Sequence, residues 1–473
     1  MTYTPQPHQE DAVRRLVAMQ GRAVLADDMG LGKSATALWT MQHFRCEPTI
    51  IVCPKTIGSK WCDEVEQAVG ARAALLQTRK HVETLTTSPR YIVLHYDLLA
   101  RLNEVHLQIL IDEGRPAGLI LDEAHYVKNR ISQRSKAAAK LAARCDHVLC
   151  LTGTLVRNTV QDVWHPVHLA RPYHLENYAR FEARYCDMRV LQLPIRGKVR
   201  RIRQYNGSRN EGQLKARLAE VMVRRRKEDV LDLPPLTRVV VPVDLDEETR
   251  KAYDRVRRQA LAEVRAMVTD EEGGRSETSV LIRARSVLEQ TIRLEQVAMG
   301  MVRGEGDHDG WMPQSAKYRW VVDTVLEILA EGRSVVVFAK FNAFLVALRN
   351  ELIAEMEVDM TWLLTGDVTQ DHRTTRIEAF KGLGGVLLCQ VKLAEGFDLV
   401  TCTDAIFVGT DWTPAVTQQA EARLHRMGQA GTVTCYYPLA RRTIDEHLHD
   451  VVVRKAKDAA RVEPTEVLRW LEP

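Results

Sequence analysis

Ala26-Asp27-Asp28-Met29-Gly30-Leu31-Gly32-Lys33-Ser34 is the stretch from which the fold of this chain can be read. A short apolar run, Ala23-Val24-Leu25, precedes it and reads as a buried strand. Ala35-Thr36-Ala37-Leu38-Trp39 follows and reads as the start of a helix. Strand, glycine loop, Lys-Ser and helix, in that order, make the geometry that holds a nucleotide's phosphates. Glycines let backbone N–H groups come close to the oxygens. The Lys33 ammonium supplies a point charge at the β- and γ-phosphates, and the Ser34 hydroxyl can ligate Mg2+. The helix N-terminus adds its own positive end. The general phosphate-loop pattern also asks for a glycine five residues before Gly32, where this chain has Asp27. A bare Gly-Lys-Ser arises readily by chance, so the reading depends on the stretches that follow.

Length and composition bound the answer. A chain of 473 residues makes two or more domains. With 45% hydrophobic and 27% charged residues it has ample core, and a net charge of +4 is too weak to argue for nucleic acid without other signs. The nine cysteines include no Cys-x-x-Cys pair, so neither a zinc site nor a disulfide framework is indicated. Met1 to Glu10 is polar and lacks a signal-peptide core. No run of about 18 apolar residues is present to span a membrane. The expectation is a soluble protein of a reducing compartment, the cytoplasm, with no membrane partner.

Further along the chain, Pro5-Gln6-Pro7-His8-Gln9 precedes an amphipathic helix expected over Glu10 to Met19. A glutamine just upstream of a phosphate loop can read an adenine edge, because its amide both donates and accepts. Thr49-Ile50-Ile51-Val52-Cys53-Pro54-Lys55 and Tyr91-Ile92-Val93-Leu94 read as parallel-sheet strands. Gly118-Leu119-Ile120-Leu121-Asp122-Glu123-Ala124-His125 is an apolar strand ending in two adjacent carboxylates. At a strand's C-terminal end they face the crevice where ligands sit in open α/β sheets. Asp122 can hold Mg2+ through water, and Glu123 can orient or deprotonate an attacking water. His147 to Leu151 is the next strand, ending in Thr152-Gly153-Thr154.

From about 155 to 230 the rhythm breaks into a segment read as helical and basic. It contains Arg196, Lys198, Arg200, Arg201 and Arg203, then Arg224-Arg225-Arg226-Lys227. Such runs serve either as solvated faces or as contacts to a phosphate backbone. Leu233-Pro234-Pro235 marks a domain boundary. Beyond it a strand is expected around Val239 to Val241, with a long helical insertion over about 247–300 interrupted at Gly273-Gly274. Gly304 to Pro313 reads as a loop. A second strand–helix alternation starts at Ser334, with strands at Val335 to Phe338, Val386 to Cys389, Ile406 to Val408 and Val433 to Tyr437. Only the first α/β unit has a phosphate loop. The second offers Gln419 to Gln429, in which Arg423 and Arg426, three apart, are expected on one helix face. A γ-phosphate undergoing transfer gains charge that such arginines can stabilise.

Together these stretches resemble helicase superfamily two and, more narrowly, its SWI/SNF-type branch of DNA-dependent ATPases and translocases. The resemblance rests on Pro7-His8-Gln9, the Asp27 to Ser34 loop, Ile51 to Lys55, Asp122-Glu123-Ala124-His125, and Leu151 to Thr154 with Asn158. In the second half it rests on Arg225-Arg226-Lys227-Glu228-Asp229-Val230 before Leu233-Pro234-Pro235, Val337-Phe338, Asp411-Trp412 with Pro414, and Gln419 to Gln429. The Asp-Met-Gly-Leu-Gly-Lys form and the Arg-x-x-Arg-x-Gly-Gln ending belong to this branch and account for the missing glycine. Arg184-Tyr185-Cys186-Asp187 and Asn206-Gly207-Ser208 resemble the HepA-related annealing-helicase subgroup.

The resemblance implies an α/β fold of two RecA-like lobes, parallel sheets flanked by helices, with helical insertions. An N-terminal ATP-binding lobe would span 1–233 and a C-terminal helicase lobe 234–473, the latter ending in a helix over about 443–461. It implies ATP and Mg2+ as cofactors, double-stranded or forked DNA as partner, and a monomer. Gln9 would contact adenine, and Asp27, Asp28, Met29, Gly30, Leu31, Gly32, Lys33 and Ser34 would form the nucleotide loop, with Gly396 and Gln419 completing the site. Asp122 and Ser34 would hold Mg2+, Glu123 would activate water, and Arg423 and Arg426 would be the arginine fingers. His125 and Thr152 would couple nucleotide state to DNA grip, with Lys55, Arg157, Arg200 and Arg201 against the DNA backbone. The chain departs from the family at Leu155, Thr413, Gln390, Lys392 and Asp398, which bears on DNA coupling more than on hydrolysis. Accessory segments of chromatin-reader, zinc-finger or HARP type are not recognisable, as in bacterial or phage-encoded members. A strand-separating DNA or RNA helicase, or a DNA-binding scaffold with a decayed ATPase, are the alternatives.

Overall fold

The computed structural model describes residues 3–85, 89–111, 117–153, 160–195, 198–269, 289–303, 309–311, 315–356, 359–394, 397–409 and 414–462. The chain divides into two compact units. The body of the first is Met1–Met188 with Tyr205–Leu233, and that of the second is Pro234–Arg454.

Numbering strands in chain order, the first unit is a seven-stranded sheet. Its spatial order is β3 (Ala73–Leu76), β4 (Tyr91–His95), β2 (Thr49–Cys53), β5 (Gly118–Leu121), β6 (His147–Leu151), β1 (Arg22–Leu25) and β9 (Met222–Val223). Every pairing is parallel. Side chains alternate across the sheet, so each strand feeds two cores. Val24, Ile50, Val52, Ile92, Leu119 and Val148 pack on one face. Leu25, Ile51, Val93, Ile120 and Leu149 pack on the other. That second face is covered by α1 (Pro7–Ala18), α2 (Lys33–His43) and α3 (Gly58–Val69), through Leu16, Leu38, Met41, Trp61 and Val65. Burial on both faces is why these strands read as continuous apolar runs.

The second unit is a six-stranded sheet in the order β10 (Leu236–Val243), β17 (Val433–Ala440), β16 (Asp404–Val408), β13 (Val335–Ala339), β15 (Val386–Gln390) and β14 (Thr361–Leu364). It too is parallel throughout. Val335, Val337 and Ala339 of β13 pack with Tyr318, Val322, Phe344 and Leu348. From the intervening positions, Phe338 stacks on Phe407 at 5.0 Å and Phe407 on Tyr437 at 4.9 Å, binding β13, β16 and β17 together.

Some expectations are corrected. The first helix begins at Pro7, so Gln9 lies inside it. Pro7 takes a first-turn position that needs no N–H, and Gln6 and Gln9 form a capping box. The segment over 155–230 is not wholly helical. Cys186–Ile195 and Lys198–Ser208 pair as a two-stranded sheet, β7 with β8. The β-branched residues Val190, Ile195, Val199 and Ile202 favour strands. Asp309–Trp311, read as loop, is β12 and pairs antiparallel with β11 (Met301–Arg303).

Candidate nucleotide site

The site grows from the carboxyl edge of the first sheet. Leu25 of β1 is in register with Leu151 of β6, Leu121 of β5 with Cys150 of β6, and Val52 of β2 with Leu121 of β5. The residues that follow these strand ends, from Ala26, Thr152, Asp122 and Pro54 onward, therefore emerge side by side, at the edge where open α/β sheets bind ligands.

The loop after β1 turns at Gly30 and Gly32, with φ of 93° and 75°. Gly32 then caps α2, which starts at Lys33. A Cβ on Gly32 would lie 2.1 Å from Nε2 of Gln9, so glycine is required there for two reasons. Gln9 is buried and already engaged. Its Oε1 accepts from the Gln6 N–H at 2.9 Å, and its Nε2 donates to Leu31 O at 3.3 Å. His8 Nε2 lies 3.2 Å from the same Leu31 oxygen. Met29 packs against Gly153, whose absent Cβ would meet the methionine at 2.7 Å, while the Thr152 N–H donates to Leu25 O at 3.1 Å.

Lys33 Nζ donates to the carbonyls of Asp27 at 2.7 Å and Asp28 at 3.1 Å. Burial lowers its pKa, opposed first by the negative charge of Glu123 and then by that of Asp27, Asp28 and Asp122. Asp122 accepts from Trp61 Nε1 at Oδ2 and from the Glu123 N–H at Oδ1, both at 2.8 Å. Its own carbonyl accepts from the Tyr96 hydroxyl at 2.7 Å. Burial pushes the Asp122 carboxyl up to about 6, with Glu123 adding to the rise and the Trp61 and Glu123 N–H bonds opposing it. Glu123 sits at φ 48°, a left-handed backbone uncommon outside glycine. Its Oε2 is 3.1 Å from His125 Nδ1.

Asp27 and Asp28, expected among the nucleotide-binding residues, direct their carboxylates elsewhere. Asp27 is fully buried and takes Arg225 through both oxygens, with Nε to Oδ1 at 3.2 Å and Nη2 to Oδ2. Asp28 Oδ1 is 3.5 Å from Arg224, and its Oδ2 accepts the Lys227 N–H at 3.2 Å. The spacing of the Arg224 to Lys227 run predicts a solvated face or a phosphate contact. Instead the side chains of Arg224 and Arg225 are each only 10% exposed, and they tie β9 to the phosphate loop. Asp27 therefore stands at the family's missing glycine for a structural reason. Nothing in the spacing announced this, because the partners are 198 residues apart. Trp61, Tyr96 and Arg225 are the residues at the site that sequence reasoning missed. Only the identical charge-complementary pairs, Asp-Asp and Arg-Arg, hinted at the last.

In the second unit Gln419 is buried on the helix Pro414–Leu424. That helix ends at Leu424, so Arg423 lies in its last turn and Arg426 in the turn beyond, not on a shared helical face. Gln429 shapes this turn. Its Nε2 donates to Cys402 O at 3.0 Å and Leu424 O at 3.1 Å, and its Oε1 accepts from the Gly431 N–H at 3.1 Å. Gly428, at φ 97°, completes the reversal. Arg423 is anchored through its carbonyl, which accepts the Leu399 N–H at 2.8 Å. The off-pattern Asp398 pairs with Lys381 at 2.7 Å. Lys55 is exposed in a single 3-10 turn after β2. Arg200 and Arg201 lie on β8. Arg157 and Gly396, with Asn158, Asp411, Trp412 and Thr413, lie outside the described residues.

Fold and site together define a phosphate-loop protein of two parallel-sheet units, the first of which bears the loop and an acidic strand end. The SNF2-related domain model matches residues 8–299, and the helicase conserved C-terminal domain model matches residues 317–428. The chain belongs to the SNF2-related family, and each of its two units is built on a parallel sheet. The first match runs past Leu233, through β10 and the helix Glu247–Thr269, so the family boundary and the boundary between units do not coincide.

The chain is similar to the DNA annealing helicase and endonuclease ZRANB3 of Bos taurus, 25% identical over 95% of this chain and 40% of that one. It is similar to the SWI/SNF-related matrix-associated actin-dependent regulator of chromatin subfamily A-like protein 1 of Xenopus tropicalis, 26% identical over 95% and 44%. An uncharacterized ATP-dependent helicase of Mycoplasma genitalium is 25% identical over 94% and 40%. The chain thus spans about two fifths of the length of these relatives. A solved Sulfolobus solfataricus SWI2/SNF2 ATPase core in complex with dsDNA is 21% identical, covering 98% of this chain and 96% of that one, with a TM-score of 0.44.

Proposed function

We propose that this chain is an ATP hydrolase whose turnover drives movement along double-stranded or forked DNA, remodelling or annealing it rather than strictly separating strands. The observation that carries the reading is that the loop bearing Lys33 and the Asp122-Glu123 pair follow strands that end at the same edge of one sheet, in a chain of the SNF2-related family. The printed names of the Bos taurus and Mycoplasma genitalium relatives, an annealing helicase and an ATP-dependent helicase, support the same direction.

The donor set suits ATP with Mg2+. Gly30 and Gly32 leave the loop backbone open to phosphate oxygens, and Lys33 can exchange its two carbonyl partners for them. Ser34 and Asp122 are hard oxygen donors. Among the described residues no group of three or more His, Cys, Asp or Glu side chains could hold a metal. An ion at Ser34 and Asp122 would therefore complete its shell with phosphate oxygens and water, the habit of Mg2+. When bound, Mg2+ neutralises charge between the β- and γ-phosphates. Glu123 takes the proton of the attacking water, with His125 holding its carboxylate in place. Gln9 reads the adenine, with Met29, Leu31, Gly396 and Gln419 shaping the site. Arg423 and Arg426 stabilise charge on the γ-phosphoryl oxygens. Thr152 and His125 link this state to DNA held through Lys55, Arg157, Arg200 and Arg201. Contacts of that kind are to the backbone and carry little sequence information. A monomer suffices, since both sets of groups lie on one chain. All nine cysteines are free, which supports a reducing compartment such as the cytoplasm. Among the described residues no helix is long and apolar enough to cross a membrane.

The test is ATP turnover without nucleic acid and then with single-stranded, duplex and forked DNA and with RNA. Stimulation by duplex or forked DNA supports the translocase. Stimulation by single strands or RNA alone moves the assignment to a strand-separating helicase. Tight DNA binding without turnover makes the chain a scaffold.

A further inference from the structure

Trp61 is 2% exposed on α3, within the core that covers the α1–α3 face of the first sheet. Its indole N–H crosses 61 positions of sequence to reach Asp122 Oδ2 at 2.8 Å. The remaining polar atoms of Asp122 are held as well. Its N–H donates to Val52 O at 2.9 Å, its carbonyl accepts from Tyr96, and Oδ1 accepts from the Glu123 N–H. The carboxylate thus receives one N–H on each oxygen, one from the neighbouring backbone and one from a side chain on a different element. A phenylalanine would fill much of the same core volume. The N–H aimed at the carboxylate is what packing leaves unexplained, since a buried indole finds a partner but need not find this one.

We propose that Trp61 is a positioning residue of the nucleotide site. Its N–H stops the Asp122 carboxylate from rotating, so the remaining lone pairs hold Mg2+ at a set place relative to Ser34. The proposal deepens the ATP-hydrolase reading and rests on it. Donors behind a metal-holding carboxylate typically change metal affinity or activity about 10–100-fold. Trp61 therefore governs the Mg2+-dependent part of nucleotide binding and leaves the Mg2+-independent part to the phosphate loop.

The experiment titrates a fluorescent ADP against wild type and Trp61→Phe, in EDTA and across a Mg2+ series. It compares kcat and KM for ATP across the same series. Expected is unchanged affinity in EDTA, an apparent Mg2+ requirement raised about 10-fold or more, and a fall in kcat that excess Mg2+ partly restores. Trp61→His, which keeps a ring N–H, recovers part of the loss. A Trp61→Phe variant with the wild-type Mg2+ dependence overturns the proposal while leaving the hydrolase reading intact. A wild type that neither binds nor turns over nucleotide overturns both. If Trp61→Phe does not fold, the indole N–H resonances of the wild type are followed by 15N NMR. A resonance that moves on adding Mg2+ with ADP, and that is displaced in Asp122→Asn, supports the bond's role; eight unmoved indole resonances overturn it.

Discussion

Asp27 has no exposed surface, and Arg225 meets it with two N–H donors. Removing one partner of such a pair leaves the other charge buried and uncompensated, which costs about 3–5 kcal/mol. Asp27→Ala should therefore lower stability by about that amount, read from urea unfolding of the first unit. Asp27→Ala combined with Arg225→Met should recover much of the loss. If both single changes proved neutral, Asp27 would return to the nucleotide-binding set. Catalysis is predicted at the same scale. Lys33→Ala and Glu123→Gln should each reduce ATP turnover about 100-fold or more, with DNA binding by Glu123→Gln retained in a fluorescence-anisotropy assay. His165 supplies a pH signature. It is buried, its Nδ1–H donates to Val127 O at 2.6 Å, and burial lowers its pKa from 6.5 to about 4. Below pH 6.5 the unfolded chain takes up a proton that the folded chain refuses. Stability is thus lost as pH falls from about 6.5 towards about 4, with a slope of at most about 1.4 kcal/mol per pH unit. His165→Gln should flatten that part of the profile relative to wild type.

Elements rather than residues decide the phosphate loop. Gly32 is at once the αL cap of α2 and the floor beneath Gln9 of α1. Gly32→Ala adds left-handed strain of about 1–2 kcal/mol and forces the Gln9 amide off Leu31. Nucleotide affinity should fall, and the double variant with Gln9→Ala, which relieves the clash but also removes the proposed adenine contact, should not recover the binding. The helix Pro414–Leu424 is tied in a comparable way. Glu421 takes Arg238 of β10 through both oxygens at 2.7 and 2.8 Å and the hydroxyl of Tyr437 on β17 at 2.5 Å. One carboxylate thus sets the helix bearing Arg423 against two strands.

The two units have separate cores, so their stabilities should be separable. Glu421→Ala should lower an unfolding transition of the second unit by about 3–5 kcal/mol, and Asp27→Ala one of the first. The check is urea unfolding followed by hydrogen exchange with mass spectrometry. Coincident shifts of every peptide would show a single cooperative molecule instead.

Most strands of both sheets could be read from local sequence, as could the phosphate loop and the acidic end of β5, though β14 (Thr361–Leu364) was not. Each depends on short-range patterns: apolar runs of strand length, glycines beside Lys-Ser, and carboxylates where a buried strand stops. Elements built of weak local signals were not legible. β3 is Ala-Ala-Leu-Leu, equally at home in a helix, and β9 is two residues long. Nor were the groups that reach across the fold. Arg225 on Asp27, Trp61 on Asp122 and Gln9 on the loop carbonyls depend on which strand lies beside which and how far each helix runs. Arg426 shows the same limit in reverse, since a spacing of three implies a common face only while the helix continues, and this one stops at Leu424. Sequence spacing specifies chemistry within one element; between elements, distance is set by packing, and there the tertiary structure turned a basic run into an anchor and a core tryptophan into a hydrogen-bond donor for the acidic site.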